Sequence, residues 1–208
     1  MNIQANPPLA FTKRALLGLA VGAAFVLSAC SAGTTPAQEP PLAGADIGGD
    51  FTLTDKNGET VRWSDFDGRY RIVYFGFAYC PDICPTDMQR TAQGLAAFAK
   101  QEPELAANIQ PIFITIDPER DTPEVVGEFA SAFSDDLLGL TGTPEQIADA
   151  ASKFRVFYAR GEDSEAGGYL MDHSRIVYLF GPEGEPLATL PADKNADAVA
   201  QELAKWVS

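Results

Sequence analysis

Two runs of β-branched and aromatic residues, Arg71–Phe77 and Pro111–Ile116, constrain this chain most. Each reads as a strand buried inside a sheet. Between them lies a helical stretch, Pro85–Lys100, whose apolar residues include Met88, Leu95, Ala96 and Phe98. Two later helices carry matching start signals, Thr122-Pro123-Glu124 and Thr143-Pro144-Glu145. In each, a threonine caps the helix, a proline takes the first position and an acid meets the positive helix end. Gln146 completes a capping box with Thr143.

Further strands are expected at Phe51–Thr54 and Thr60–Trp63, joined as a hairpin through Asn57-Gly58, where both residues tolerate positive φ. Arg155–Tyr158, Arg175–Phe180 and Pro186–Leu190 also read as strands, the last two joined by the turn Gly181-Pro182-Glu183-Gly184. Asn195–Val207 reads as an amphipathic helix with Val199, Leu203 and Trp206 on one side. Strands alternating with helices argue an α/β layered domain.

The 29 acidic against 15 basic residues give a formal net charge of −14. A chain this acidic repels phosphate backbones, which argues against a nucleic-acid partner. Three cysteines are too few for a disulfide-stapled scaffold.

Residues 1–29 contain no acid, and Lys13 and Arg14 precede an apolar run, Ala15–Ala29, that is short for a spanning helix. This pattern is expected to be an export signal. Leu27-Ser28-Ala29-Cys30 resembles the bacterial lipoprotein cut site, which makes Cys30 the expected lipidated N-terminus and membrane anchor. Residues 30–49, rich in Ala, Pro, Gly and Thr, read as a flexible tether, and the folded domain is expected over 50–208.

Chemistry concentrates in Tyr79-Cys80-Pro81-Asp82-Ile83-Cys84-Pro85, directly after the first buried strand. Reactive groups in α/β sheets gather where strands end and helices begin. Cys84 is expected near a helix start, where the dipole and free N–H groups favour thiolate. Three uses fit the pair: a structural disulfide, a dithiol exchanging electrons with other proteins, or a metal site. His173, the single histidine, lies in Met171-Asp172-His173-Ser174, just before the strand Arg175–Phe180. If that strand is central, its entry loop opens at the same sheet edge as the cysteines. Two thiolates and an imidazole suit copper better than structural zinc, which takes four protein ligands. Asp82, Asp117 and Asp172 are supporting candidates around the ligands; for Asp117 an ordinary turn role is the favoured expectation.

These blocks carry a resemblance. Phe75-Gly76-Phe77-Ala78-Tyr79-Cys80-Pro81-Asp82-Ile83-Cys84-Pro85 is similar to the signature of the Sco/SenC family. Ile116–Glu124, Gly139–Gly142 and Asp172-His173-Ser174 follow in the family's order. The resemblance implies a thioredoxin-like fold, with a central mixed sheet flanked by helices and, here, the extra N-terminal hairpin. It implies copper, Cu(I) or Cu(II), held by Cys80, Cys84 and His173. It further implies a metallochaperone ahead of an enzyme, one that delivers copper to the dinuclear site of cytochrome c oxidase subunit II, reduces that site's cysteines, or both. The implied partners are subunit II and a copper donor chaperone or thioredoxin-like reductant. The implied location is the bacterial cell envelope, facing the periplasm, with the inner membrane favoured. A thiol-disulfide oxidoreductase, or a redox or copper-stress sensor, using the Cys80/Cys84 pair without metal delivery stays open. A thioredoxin proper would show two residues between its cysteines, and here there are three.

Overall fold

Strand β3 (Tyr70–Gly76), buried along its whole length, runs through the middle of a five-stranded sheet. In the computed structural model it pairs in parallel with β4 (Ile109–Thr115), which pairs in parallel with β5 (Leu138–Leu140). On its other side β3 pairs antiparallel with β8 (Val177–Phe180), and β8 with β9 (Pro186–Leu190). This mixed sheet flanked by helices is the thioredoxin-like arrangement. The structure describes Met1, Asn2, Gln4 and residues 38–163 and 168–208. Those three apart, the expected export signal 1–29 and Cys30 lie outside the described residues.

Helix α1 (Ile83–Ala99) follows β3, and the C-terminal helix α5 (Ala196–Trp206) packs along it. Their approach needs Gly94, where a Cβ would fall 2.6 Å from Val199. Between α1 and β4 sits the short helix α2 (Pro103–Ala107), which the sequence pattern did not reveal. α3 (Pro123–Ser131) and α4 (Pro144–Lys153) begin where their signals place them. Thr122 Oγ1 accepts from Val125 N, and Thr143 and Gln146 form the reciprocal capping box.

The N-terminal hairpin pairs β1 (Thr52–Thr54) with β2 (Thr60–Arg62). Asp55 Oδ1 accepts from the N–H groups of Asn57 and Glu59 at 2.9 Å each, and Gly58 takes φ 79°. The carboxylate thus does what a backbone carbonyl would do in closing the turn. Residues 39–49 also lie against the body. Leu42 N donates to Leu187 O, Gly48 N donates to Lys153 O, and Leu42 and Ile47 pack on the core. Composition assigned this stretch to the tether, but two large apolar side chains are enough to dock it.

The strand expected at Arg155–Tyr158 starts later. Arg155 adopts φ 55°, a left-handed residue that closes α4, and Val156 N bonds back to Ala151 O. β6 therefore runs Tyr158–Asp163 and pairs with β7 (Tyr169–His173) in a separate hairpin. His173 is the last residue of that hairpin rather than part of a loop.

Candidate metal centre

The site forms where β3 ends. The chain turns through Ala78 and Tyr79 to Cys80 and enters α1 at Ile83, so Cys84 sits in the first helical turn. The hairpin β6–β7 brings His173 to the same edge, because β8 lies beside β3 and runs antiparallel to it, so that β8 starts where β3 ends. His173 Nε2 stands 3.3 Å from Cys84 Sγ. Cys80 Sγ accepts the Cys84 backbone N–H at 3.4 Å, and both thiols are free.

The imidazole is oriented from behind. Its Nδ1–H donates to Ser174 O at 3.0 Å, which leaves the Nε2 lone pair toward Cys84. Tyr74 and Phe77 each meet the ring edge-on at 6.0 Å between centroids. Burial holds the His173 pKa below its usual value, so the ring is neutral near pH 7 and able to ligate.

Cys84 departs from expectation. It is fully buried, and desolvation pushes its thiol up to about 12. The helix start does not offset this loss of hydration, so the metal-free site keeps Cys84 protonated. A soft cation bound here would supply the missing charge and favour the thiolate, the thiol proton passing to solvent.

The donor set fits a soft ion. Ligand bonds of about 2.3 Å to sulfur and about 2.0 Å to nitrogen span a sulfur–nitrogen gap of about 3.3–3.6 Å at near-tetrahedral angles. The Cys84–His173 separation falls in that range. Among the described residues no three His, Cys, Asp or Glu side chains already stand as a closed metal cluster. The preset feature is therefore the Cys84–His173 pair, with the Cys80 thiol adjoining it.

Several residues that build this site went unnoticed in the sequence. Gly76 lies beside the sulfur, and a Cβ there would fall 3.1 Å from Cys84 Sγ and 2.8 Å from Tyr74 Cε1. A glycine inside a strand pattern is the available signal for such close approach. Gly76→Ala is expected to cost about 1–3 kcal/mol by overpacking and to displace Cys84 from His173. Urea unfolding and copper titration of the same variant check both effects.

Asp87, one turn along α1, is buried and accepts from Arg175 Nε and Nη2 at 2.6 Å each, while the Tyr74 hydroxyl donates to it at 3.3 Å. Asp121, also buried, accepts from Ala78 N and from Thr115 Oγ1, fixing the chain as it leaves β3. Desolvation raises its pKa.

The three supporting carboxylates divide. Asp117 is more than a turn residue: it holds Arg120 Nε and the Tyr169 hydroxyl. Arg120 also donates to Tyr169 O at 2.9 Å and stacks 3.7 Å from that ring. Together they clamp the His173 hairpin to the segment 117–121. Asp82 and Asp172 are exposed, and the Asp82 side chain makes no capping hydrogen bond.

Comparison with known proteins bears on this geometry. The SCO1/SenC family description matches residues 39–208. The mouse mitochondrial SCO1 homolog is 41% identical over 158 residues, covering 76% of this chain but 55% of that protein. This chain thus spans about half the length of that relative. The SCO2-like protein of Rickettsia conorii is 40% identical over 213 residues and covers 98% of each chain. The structure of Bradyrhizobium japonicum ScoI with copper bound superposes with a TM-score of 0.68 at 34% identity, covering 77% of this chain and 99% of that one.

Proposed function

This chain belongs to the SCO1/SenC family, and from that premise we propose that it binds copper and passes it to the dinuclear copper site of cytochrome c oxidase subunit II. Cys80, Cys84 and His173 hold the ion, and Cys30 tethers the protein to the membrane on the periplasmic side. The observation that carries this reading is the His173 Nε2 lone pair 3.3 Å from Cys84 Sγ, with the opposite ring nitrogen already satisfied. Copper bound in a relative of like fold supports the same assignment. The ion is cargo, so a three-ligand, partly open site suits release better than a closed four-ligand cage. Among the described residues no helix is long and apolar enough to cross a membrane. The expected anchor is Cys30.

Metal analysis of the reduced chain, with and without His173→Ala, tests the reading. The parent is expected to bind one copper per chain. The variant is expected to keep its fold and to lose affinity, more for Cu(II) than for Cu(I), because nitrogen matters more to the harder ion. Unchanged affinity would remove His173 from the site.

The thiol pair alone supports a second reading, a thiol-disulfide reductase. Cys80 is half-buried and Cys84 fully buried, an asymmetry that suits one attacking thiol and one resolving thiol. That reading predicts full reductase activity in His173→Ala and none after loss of either cysteine.

A further inference from the structure

Among the described residues beyond Met1, the large apolar side chains left in water are Tyr79, Ile83, Phe157 and Leu170. All four lie on the two segments that carry the site. Leu170 alternates with His173 along β7 and so faces away from it. The other three each stand beside a different ligand. Tyr79 precedes Cys80, Ile83 precedes Cys84, and Phe157 is tied to the residue after His173. That tie is double: Ser174 N donates to Phe157 O at 2.9 Å, and Phe157 N donates to Ser174 Oγ at 3.0 Å. Since Ser174 O also receives His173 Nδ1–H, ring and imidazole share one hydrogen-bonded unit. Tyr79 is backed by the Arg120 guanidinium, 5.3 Å from its ring. These exposures are 55% for Tyr79, 41% for Ile83 and 65% for Phe157, on a chain whose formal charge is −14.

We propose that Tyr79, Ile83 and Phe157 form the docking rim for the copper acceptor, a protein whose own two thiols lie inside an apolar border. The inference rests on the delivery reading above. Cys84 is fully buried, so an incoming thiol meets the site at Cys80 and must come within bonding distance of the ion. Such an approach expels water from around the ligands, and apolar side chains at each ligand let both surfaces do this without stranding polar groups. The exchange leaves copper in its oxidation state: two acceptor thiols lose protons and bind the ion, while Cys80 and Cys84 regain two protons. A three-residue rim is small, which suits a partner that must leave. A bilayer is the other apolar surface available, but Asp82 and Glu119 on the loops around the site and Asp172 on β7 are exposed and repel anionic lipid. Lipid over the rim would also cover Cys80.

The test uses the full chain loaded with Cu(I) and the reduced, metal-free soluble domain of subunit II from the same organism. Tyr79→Ser, Ile83→Ser and Phe157→Ser, singly and combined, are expected to bind copper as the parent does. In the triple variant the acceptor concentration giving half-maximal transfer rises at least about tenfold. Unchanged half-saturation would overturn the rim while leaving delivery standing. Lost copper binding in the variants would overturn it too, by showing that these side chains support the ligands. So would unchanged transfer with weaker sedimentation on phosphatidylglycerol vesicles, which would assign the rim to membrane. No transfer by the parent would remove the delivery reading and the rim together.

Discussion

Asp87→Ala is expected to lower the stability of the metal-free chain by about 3 kcal/mol, the low end of about 3–5 kcal/mol for breaking a buried ion pair. The low end applies because the Arg175 side chain is 37% exposed and can turn toward water. The Tyr74 hydroxyl cannot, since Tyr74 is fully buried and would lose its partner. The same substitution is expected to weaken copper binding. Asp87 lies one turn beyond Cys84 on α1, and Arg175 lies two residues beyond His173. Their bidentate contact therefore ties the helix carrying the thiol to the segment carrying the imidazole. Asp87→Asn keeps the shape and an acceptor for Tyr74 but loses the charge, and is expected to fall between parent and alanine variant. Urea unfolding of the reduced chain and a copper competition titration read the two effects. A parental unfolding midpoint in Asp87→Ala would show that the ion pair does not hold the site together.

How far such a site can be read from sequence depends on the range of the forces that build it. Threonine caps at Thr122 and Thr143 and the Asn57-Gly58 turn are local, satisfied within four residues, and they stand where the sequence puts them. β3 and β4 are also legible, because residues buried on both faces leave no polar alternation to interpret. The convergence of Cys84 and His173 rests on the condition that the strand after His173 be central; β8 does lie inside the sheet, between β3 and β9, and its antiparallel course beside β3 brings its start to the cysteine edge. What escaped is long-range or sterically set. Asp87 reads as an unremarkable helical acid until Arg175, 88 positions away, closes on it. Tyr169 carries no signal of its own in the sequence, and its role comes from Asp117 and Arg120, 52 and 49 positions away. β7 was hidden because its alternation, with Tyr169, Met171 and His173 half-buried and Leu170 and Asp172 exposed, mixes polar and apolar residues on both faces. The Cys84 environment differs from expectation for another reason. Helix position is visible in sequence, but the depth of burial that outweighs it is not.

That burial has a measurable consequence. The Cys84 thiol titrates at about 12 in the folded chain against 9.0 for an ordinary thiol. The unfolded chain therefore releases this proton first as pH rises. Stability is fully present below about pH 9 and is lost progressively toward pH 12, at about 1.4 kcal/mol per pH unit. By pH 10.5 the reduced, metal-free chain is expected to be about 2 kcal/mol less stable on this account alone. Tyrosines and lysines titrate in the same window, so the informative quantity is the difference between the parent and Cys84→Ser, whose hydroxyl does not ionise. Urea midpoints at pH 7, 9 and 10.5 should show the parent falling relative to the variant only above pH 9. Parallel curves would mean that Cys84 is better hydrated than its burial implies. His173 acts on the acid side with the opposite sense. Its folded pKa lies below 6.5, so stability is full above about pH 6.5 and declines as pH falls toward the folded value. Both shifts penalise the charged form of a ligand, and each makes copper binding depend on protons in the same direction. The ion must displace the Cys84 proton, and below pH 6.5 it increasingly competes with protonation of His173. Copper affinity is therefore expected to rise with pH, by about tenfold per unit for each proton released, until the free thiols themselves ionise.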